Sequence, residues 1–193
     1  GIQCYRNGCV PLLAWPLAMT QLTLWRRWRG VFDAFIANSE IVARRLEESG
    51  TPKPIVIPNG IIKRRIRGPL SATPTNGFSG RKTYEKGNDV LLAAFERVVK
   101  INPTARFLNL GERDEPGRVV KTVSRMGSNI EFAGYLPRDQ LEHFFRNVWV
   151  QVVPSRGVEA FGNSAAEAMM RGTTVVASAN GGLGEYIQNG TTG

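Results

Sequence analysis

From Gly77 onward, short apolar runs alternate with longer helical stretches, and this alternation constrains the fold more than any other feature of the chain. The strand candidates are Phe78-Ser79, Arg106 to Leu110, Ile130-Glu131-Phe132, Trp149 to Val153 and Thr174 to Ala177. Between them lie Asn88 to Ile101, Gly117 to Met126, Arg138 to Arg146 and Asn163 to Arg171, each with helical periodicity. Short buried strands separated by helices specify β-α-β units. The fold class expected is therefore α/β: a Rossmann-like parallel sheet with helices on both faces. Such sheets bind ligands beyond the carboxyl ends of their strands. Chemistry is expected in the loops that follow Phe78, Leu110, Phe132, Val153 and Ala177.

The upstream part is organised differently. Phe32 to Ala37 reads as a buried strand, Ser39 caps a helix from Glu40 to Glu48, and Gly50 closes it. A second short strand, Ile55-Val56-Ile57, runs into the turn Pro58-Asn59-Gly60, and residues 68–77 look like a loop. The charge follows the same division. The 193 residues carry a net charge of +9, of which +7 falls in residues 1–68, notably in Trp25-Arg26-Arg27-Trp28-Arg29 and Lys63-Arg64-Arg65-Ile66-Arg67. A basic cluster with interleaved Trp suits RNA or an anionic membrane surface, or equally a solvated helix face. No nucleic-acid-binding signature accompanies it. The longest apolar run, Val10 to Trp25, is interrupted by Pro16 and is too short to span a bilayer. Two cysteines, Cys4 and Cys9, are too few for a zinc site or a disulfide scaffold. That cysteine usage leads to the expectation of a cytoplasmic protein with reduced thiols, and no signal peptide pattern is present. The Gly-Ile start and the turn-like Gly190 to Gly193 suggest a fragment of something larger.

Two loops concentrate the candidate chemistry. Gly80-Arg81-Lys82-Thr83-Tyr84-Glu85-Lys86-Gly87 follows the first strand of the regular part. Gly80 permits close backbone approach to a ligand, while Arg81 and Lys86 place two cations at the strand's carboxyl end, suited to phosphate. The second loop, from Pro154 to Gly162, leads into a small-residue helix beginning near Asn163. Free amides around Phe161 to Ser164 favour an anion. Glu159 in the loop and Glu167 in the helix are placed to flank one ligand, and carboxylates suit paired sugar hydroxyls. A third turn, Gly181-Gly182-Leu183-Gly184-Glu185, fits either a ligand-wrapping loop or an ordinary β-α connection.

These motifs, in their order, resemble the donor-binding half of retaining glycosyltransferases of family 4, which have the GT-B fold. The resemblance rests on Gly80-Arg81, Glu85-Lys86-Gly87, Gly134-Tyr135, Pro154-Ser155, Glu159-x-Phe161-Gly162 with Glu167-Ala168-Met169, Val175 to Ser178, Gly181-Gly182 with Glu185, and Gly190-x-Thr192-Gly193. Ala37 to Glu40 and Ile57 to Gly60 resemble the end of that family's acceptor domain and its interdomain crossover. The resemblance implies an incomplete acceptor-binding remnant over residues 1–58 and a donor nucleotide-sugar domain over 59–193. It implies a UDP-, GDP- or ADP-sugar donor with no further cofactor and a carbohydrate or glycolipid acceptor. It also implies a partner domain preceding this chain, while the cluster from Trp25 to Arg29 suits peripheral membrane contact. Arg81, Lys86 and Glu159 would be catalytic, the cations neutralising the donor diphosphate and Glu159 holding the transferred sugar. Gly80, Phe161, Gly162 and Asn163 would line the phosphates, Glu167 would hold the ribose, and Gly134-Tyr135 would lie along the base. No Asp-x-Asp occurs in the chain, in keeping with a metal-independent enzyme. The chain departs from the pattern at Tyr84, where Pro is frequent, and at Thr173-Thr174 in place of Thr-Pro. A non-catalytic nucleotide-sugar-binding module of the same fold is the alternative. A different GT-B enzyme, such as a sugar-nucleotide epimerase or a phosphorylase, fits the Glu-x7-Glu context less well.

Overall fold

The computed structural model describes residues 11, 13–63, 66–81, 83–110, 127–134 and 136–193. The first element among the described residues is helix α1 (Trp15–Trp28), which accommodates Pro16 in its first turn and carries Arg26 and Arg27 in its last. Proline is harmless there because a first-turn N–H has no intrahelical acceptor, and the arginines complement the helix dipole. Trp25 packs edge-on against Phe35, with ring centroids 6.5 Å apart, while Trp28 is exposed. Among the described residues, no helix is long and apolar enough to cross a membrane. Strand β1 (Ile36–Ala37), helix α2 (Glu40–Glu48) and strand β2 (Ile55–Val56) follow, and β1 pairs in parallel with β2. The buried Ser39 caps α2, its hydroxyl accepting from the Val42 amide at 3.3 Å.

The second sheet is the expected one. Strands β3 (Thr75–Ser79), β4 (Arg106–Leu110), β5 (Ile130–Gly134), β6 (Val150–Val153) and β7 (Thr174–Ala177) are all parallel, in the order β5-β4-β3-β6-β7. Helices α3 (Asn88–Ile101), α4 (Arg138–Phe144), α5 (Asn163–Met170) and the short α6 (Leu183–Tyr186) pack against it. Alternation along the strands sorts the helices between the two faces. Phe107 and Val152 join Leu91, Leu92 and Phe95 of α3. Their neighbours Leu108 and Leu110 meet Leu141 and Phe144 of α4, with Phe145 and Val148 just beyond it, while Val153 meets Ala165 and Ala168 of α5. The chain winds outward from β3 through β4 to β5, then crosses back to β6. The strand order therefore reverses between β3 and β6, and a crevice opens at that switch point.

The boundaries differ from expectation where polar residues are buried. Residues 75–77 belong to β3 rather than to a loop, with Thr75 buried and its hydroxyl donating to the Thr73 carbonyl at 2.9 Å. Gly77 serves the core, because a Cβ there would meet the Phe145 ring at 2.7 Å. The strand expected from Phe32 is confined to Ile36–Ala37, and Phe32 instead packs exposed against Phe35. Gly181 to Glu185 is a β-α connection that ends in helix α6. The expected helix Gly117 to Met126 lies outside the described residues, as do Cys4, Cys9 and the Arg64-Arg65 pair.

Candidate functional site

The loops at the switch point are held together before any ligand is considered. After β3 the chain makes a tight turn at Tyr84–Lys86, and Gly87 enters α3 with φ +66°. A side chain at Gly87 would place its Cβ 2.0 Å from the Pro154 carbonyl oxygen, so the two loops touch backbone to backbone. The Glu85 carbonyl accepts from the amides of Arg156 (2.7 Å) and Gly157 (3.0 Å). Arg156 clamps Asp89 at the start of α3 with two bonds of 2.6 and 2.8 Å, and its guanidinium lies 4.4 Å from the Tyr84 ring centre. That clamp holds the Asp89 carboxyl below its ordinary range. The far side of the second loop is fixed by Asn180, whose side-chain amide donates to the Ser155 carbonyl at 3.0 Å.

Between these loops sits an ion pair. Lys86 Nζ lies 2.6 Å from Glu159 Oε1, with the two side chains 28% and 14% exposed. The Ser155 hydroxyl donates to the same Oε1. Burial pushes the Glu159 carboxyl up, but Lys86, Ser155 and the more distant Arg81 outweigh it and hold the pKa below the usual carboxylate value. Glu159 is therefore an anion at neutral pH, fixed in direction by two donors. Beside it, Gly162 turns the chain with φ +90° into α5. A Cβ at Gly162 would lie 2.3 Å from the Leu183 side chain. The Gly162 carbonyl takes the Ala165 and Ala166 amides, while the Asn163 and Ser164 amides before them precede any intrahelical acceptor and present partial positive charge to the same space. Behind the helix, buried Arg171 donates to Gln151 at 2.9 Å, and Gln151 donates to the Ser164 carbonyl at 3.1 Å.

These groups line one cavity of about 340 Å³, bounded by Ser79, Gly80, Lys86, Glu159 and residues 160–164 on the sheet side, with Asn38 and Asn59 opposite. A larger cavity, about 460 Å³, lies beside Thr75 and Arg106. These begin β3 and β4, so that cavity is at the amino end of the sheet, away from the fixed charges.

Of the residues expected at a site, Gly80, Lys86, Glu159, Phe161, Gly162 and Asn163 all line the smaller cavity. Arg81 is exposed at its rim, close enough to lower the Glu159 and Glu85 carboxyls. Glu167 is half-buried, one turn further along α5 than Asn163. Gly134 ends β5 with φ +67°, and Tyr135 lies outside the described residues. Sequence reasoning assigned no site role to Ser155, Arg156, Asn38, Asn59 or Tyr186, although Ser155, Asn38 and Asn59 lie within the motifs quoted for the resemblance. Tyr186 stacks on Phe161, with ring centroids 5.2 Å apart, and its hydroxyl donates to the Gly162 carbonyl at 2.9 Å. Burial, reinforced by the charge of Glu159, pushes its pKa up to about 12. For Ser155 a signal existed, since it lies four residues before Glu159 in the same loop.

The doubly wound sheet thus gathers cations, a fixed carboxylate and a helix start at its switch point, a combination suited to an anionic ligand. Residues 73–193 match the family model described as glycosyl transferases group 1, and the chain belongs to that family. It is 32% identical over 181 residues to a D-inositol 3-phosphate glycosyltransferase of Segniliparus rotundus, covering 83% of this chain and 40% of the relative. It is 29% identical over 125 residues to the lipopolysaccharide 1,2-N-acetylglucosaminetransferase of Salmonella typhimurium, covering 60% of this chain and 33% of that one. Among solved structures, Anabaena HepE in complex with UDP and glucose superposes with a TM-score of 0.73 at 20% identity, over 89% of this chain and 50% of that one. The fold is thus that of the C-terminal half of a GT-B glycosyltransferase. The chain spans well under half the length of these two curated relatives.

Proposed function

We propose that this chain carries the donor-binding part of a retaining family 4 glycosyltransferase. The enzyme would transfer a sugar from a nucleoside-diphosphate sugar to a carbohydrate or glycolipid acceptor in cell-envelope polysaccharide, lipopolysaccharide or glycolipid assembly. The observation that carries this reading is the Lys86–Glu159 pair beside the start of α5, because it offers a cation, a free helix start and a fixed carboxylate within one cavity. The donor diphosphate lies across the first turn of α5, where the amides and Lys86 share its charge, with Arg81 closing from the rim. Glu159 accepts hydrogen bonds from hydroxyls of the transferred sugar, and Glu167 accepts from the ribose. The base runs past Gly134-Tyr135. As the sugar–phosphate bond breaks, negative charge grows on the departing diphosphate, and cations already in place stabilise it without reorganising. They supply the electrostatics that a metal provides elsewhere, so the donor needs no further cofactor. The acceptor enters from the side of Asn38 and Asn59, where residues 1–58 form the end of the acceptor domain. Because the chemistry lies between two domains, this chain on its own binds donor and transfers nothing. A cytoplasmic location at the inner membrane face suits such a donor and such an acceptor.

Calorimetric titration with UDP, GDP and ADP tests the reading. At least one is expected to bind, and Lys86→Met is expected to weaken it roughly tenfold or more, the value of one charge-assisted hydrogen bond. Absence of binding by all three would sink the proposal.

A further inference from the structure

Glu185 does not face the cavity. Its carboxylate reaches across to the first segment and accepts from the backbone amides of Glu40 and Ile41, one on each oxygen, both at 3.0 Å. These are the first two residues of α2, whose third amide, Val42, is taken by Ser39. The orphan donors of that helix start are therefore divided between its own cap and a residue about 145 positions later in the chain. A negative charge is also the favourable partner for the positive end of α2.

The segment that carries Glu185 is bound tightly to the proposed sugar site. The Glu159 carbonyl accepts from the Gly182 amide at 2.8 Å, and Glu159 bridges Gly181 as a parallel pair. A Cβ at Gly181 would lie 2.2 Å from the Glu159 carbonyl oxygen, and one at Gly182 would lie 2.5 Å from that of Ala160. Leu183 is fully buried against α5 and β7, and Tyr186 holds both Phe161 and the Gly162 carbonyl. Residues 181–186 and 159–162 thus form one braced unit. A second bridge between the segments lies nearby, where the Asn59 side chain donates to Asn163 at the start of α5 at 2.9 Å.

We propose that Glu185 is a positioning residue which docks α2 onto the donor site, setting the first segment against the loop that carries Glu159. Its effect on turnover rests on the donor-domain reading above; its capping of α2 does not. Two variants separate these parts. Glu185→Ala removes both acceptors, and Glu185→Gln keeps one carbonyl oxygen without the charge. By amide hydrogen exchange of this chain, Glu40 and Ile41 are expected to exchange about tenfold faster in Glu185→Ala than in the parent, with Glu185→Gln between them. In the full-length enzyme, Glu185→Ala is expected to lower kcat about tenfold while UDP affinity stays within about twofold, and Glu185→Gln is expected to recover part of the loss. Unchanged exchange at Glu40 and Ile41 would overturn the proposal. So would faster exchange with unaltered kcat, or a loss confined to UDP affinity. If the parent chain binds no nucleotide, the donor reading fails, yet the exchange measurement still decides whether Glu185 docks α2.

Discussion

Replacing Lys86 by Met and Glu159 by Gln, singly and together, measures the contact around which the candidate site is built. A unit charge pair 2.6 Å apart attracts by about 6 kcal/mol at an effective dielectric of about 20. Against this stands the cost of withdrawing both ions from water. It is partial here, because the side chains keep 28% and 14% of their exposure. The surplus is on the order of 1–2 kcal/mol, above an exposed pair and below a fully buried one. Lys86→Met alone removes the pair energy and leaves the Glu159 carboxylate in a low-exposure site with the Ser155 hydroxyl and the rim charge of Arg81. For a chain of this length, the expected fall in Tm is about 2–8 °C, at roughly 2–4 °C per kcal/mol. The double variant is expected to be more stable than the sum of the single losses predicts, by that same coupling of about 1–2 kcal/mol. The assay is chemical denaturation of all four proteins at neutral pH, repeated in high salt. Half-buried pairs keep most of their coupling in salt, whereas exposed ones lose it. Additivity within about 0.3 kcal/mol would refute the reasoning, since the two side chains would then be neighbours without a shared energy.

The remaining expectations test the framework around that pair. Gly87→Ala is expected to destabilise the fold by more than about 2 kcal/mol by thermal melting, because it adds left-handed strain to a backbone overlap with Pro154. Stability is expected to fall as pH drops below about 4.5. The Glu159 carboxyl titrates lower folded than unfolded, so its share is present above the ordinary value and lost as pH falls through the folded one. In Glu159→Gln that acid slope is shallower in denaturation curves. Tyr186 gives the opposite limb: its pKa rises from 10.0 to about 12 on folding. That rise corresponds to about 2.7 kcal/mol, which solvent screening of the half-buried ring reduces to the order of 1–2 kcal/mol. The contribution is lost as pH climbs from the first value to the second, and Tyr186→Phe abolishes the alkaline slope. Arg156→Ala is expected to let the Asp89 carboxyl rise toward its ordinary 3.8, read by carboxyl NMR titration.

What could be read in advance depended on how far apart the cooperating residues lie in the chain. Helix α3 and strands β4 and β7 matched their expected bounds, since each is specified by a period carried within the element itself. Lys86 and Glu159 were legible because strand ends and charge are local signals, and the parallel sheet then brings the ends together. Strand β3 was half hidden. It is the middle strand, and its polar Thr75-Asn76-Gly77 start is stabilised by a hydroxyl bond and by room left for Phe145. The hydroxyl bond is local, but the need for Gly77 is set only once Phe145 has been placed just beyond α4. The Arg156–Asp89 clamp joins residues 67 apart, and the Glu185 contact with α2 joins residues about 145 apart. In each, one partner alone reads as a solvated charge, and only the packed sheet gives it a direction. The same logic explains why Gly181 to Glu185 admitted two readings. Gly181 and Gly182 are required by the Glu159 loop pressed against them, whereas the carboxylate of Glu185 is directed by a helix start in another segment, so the motif serves the site from behind rather than from within.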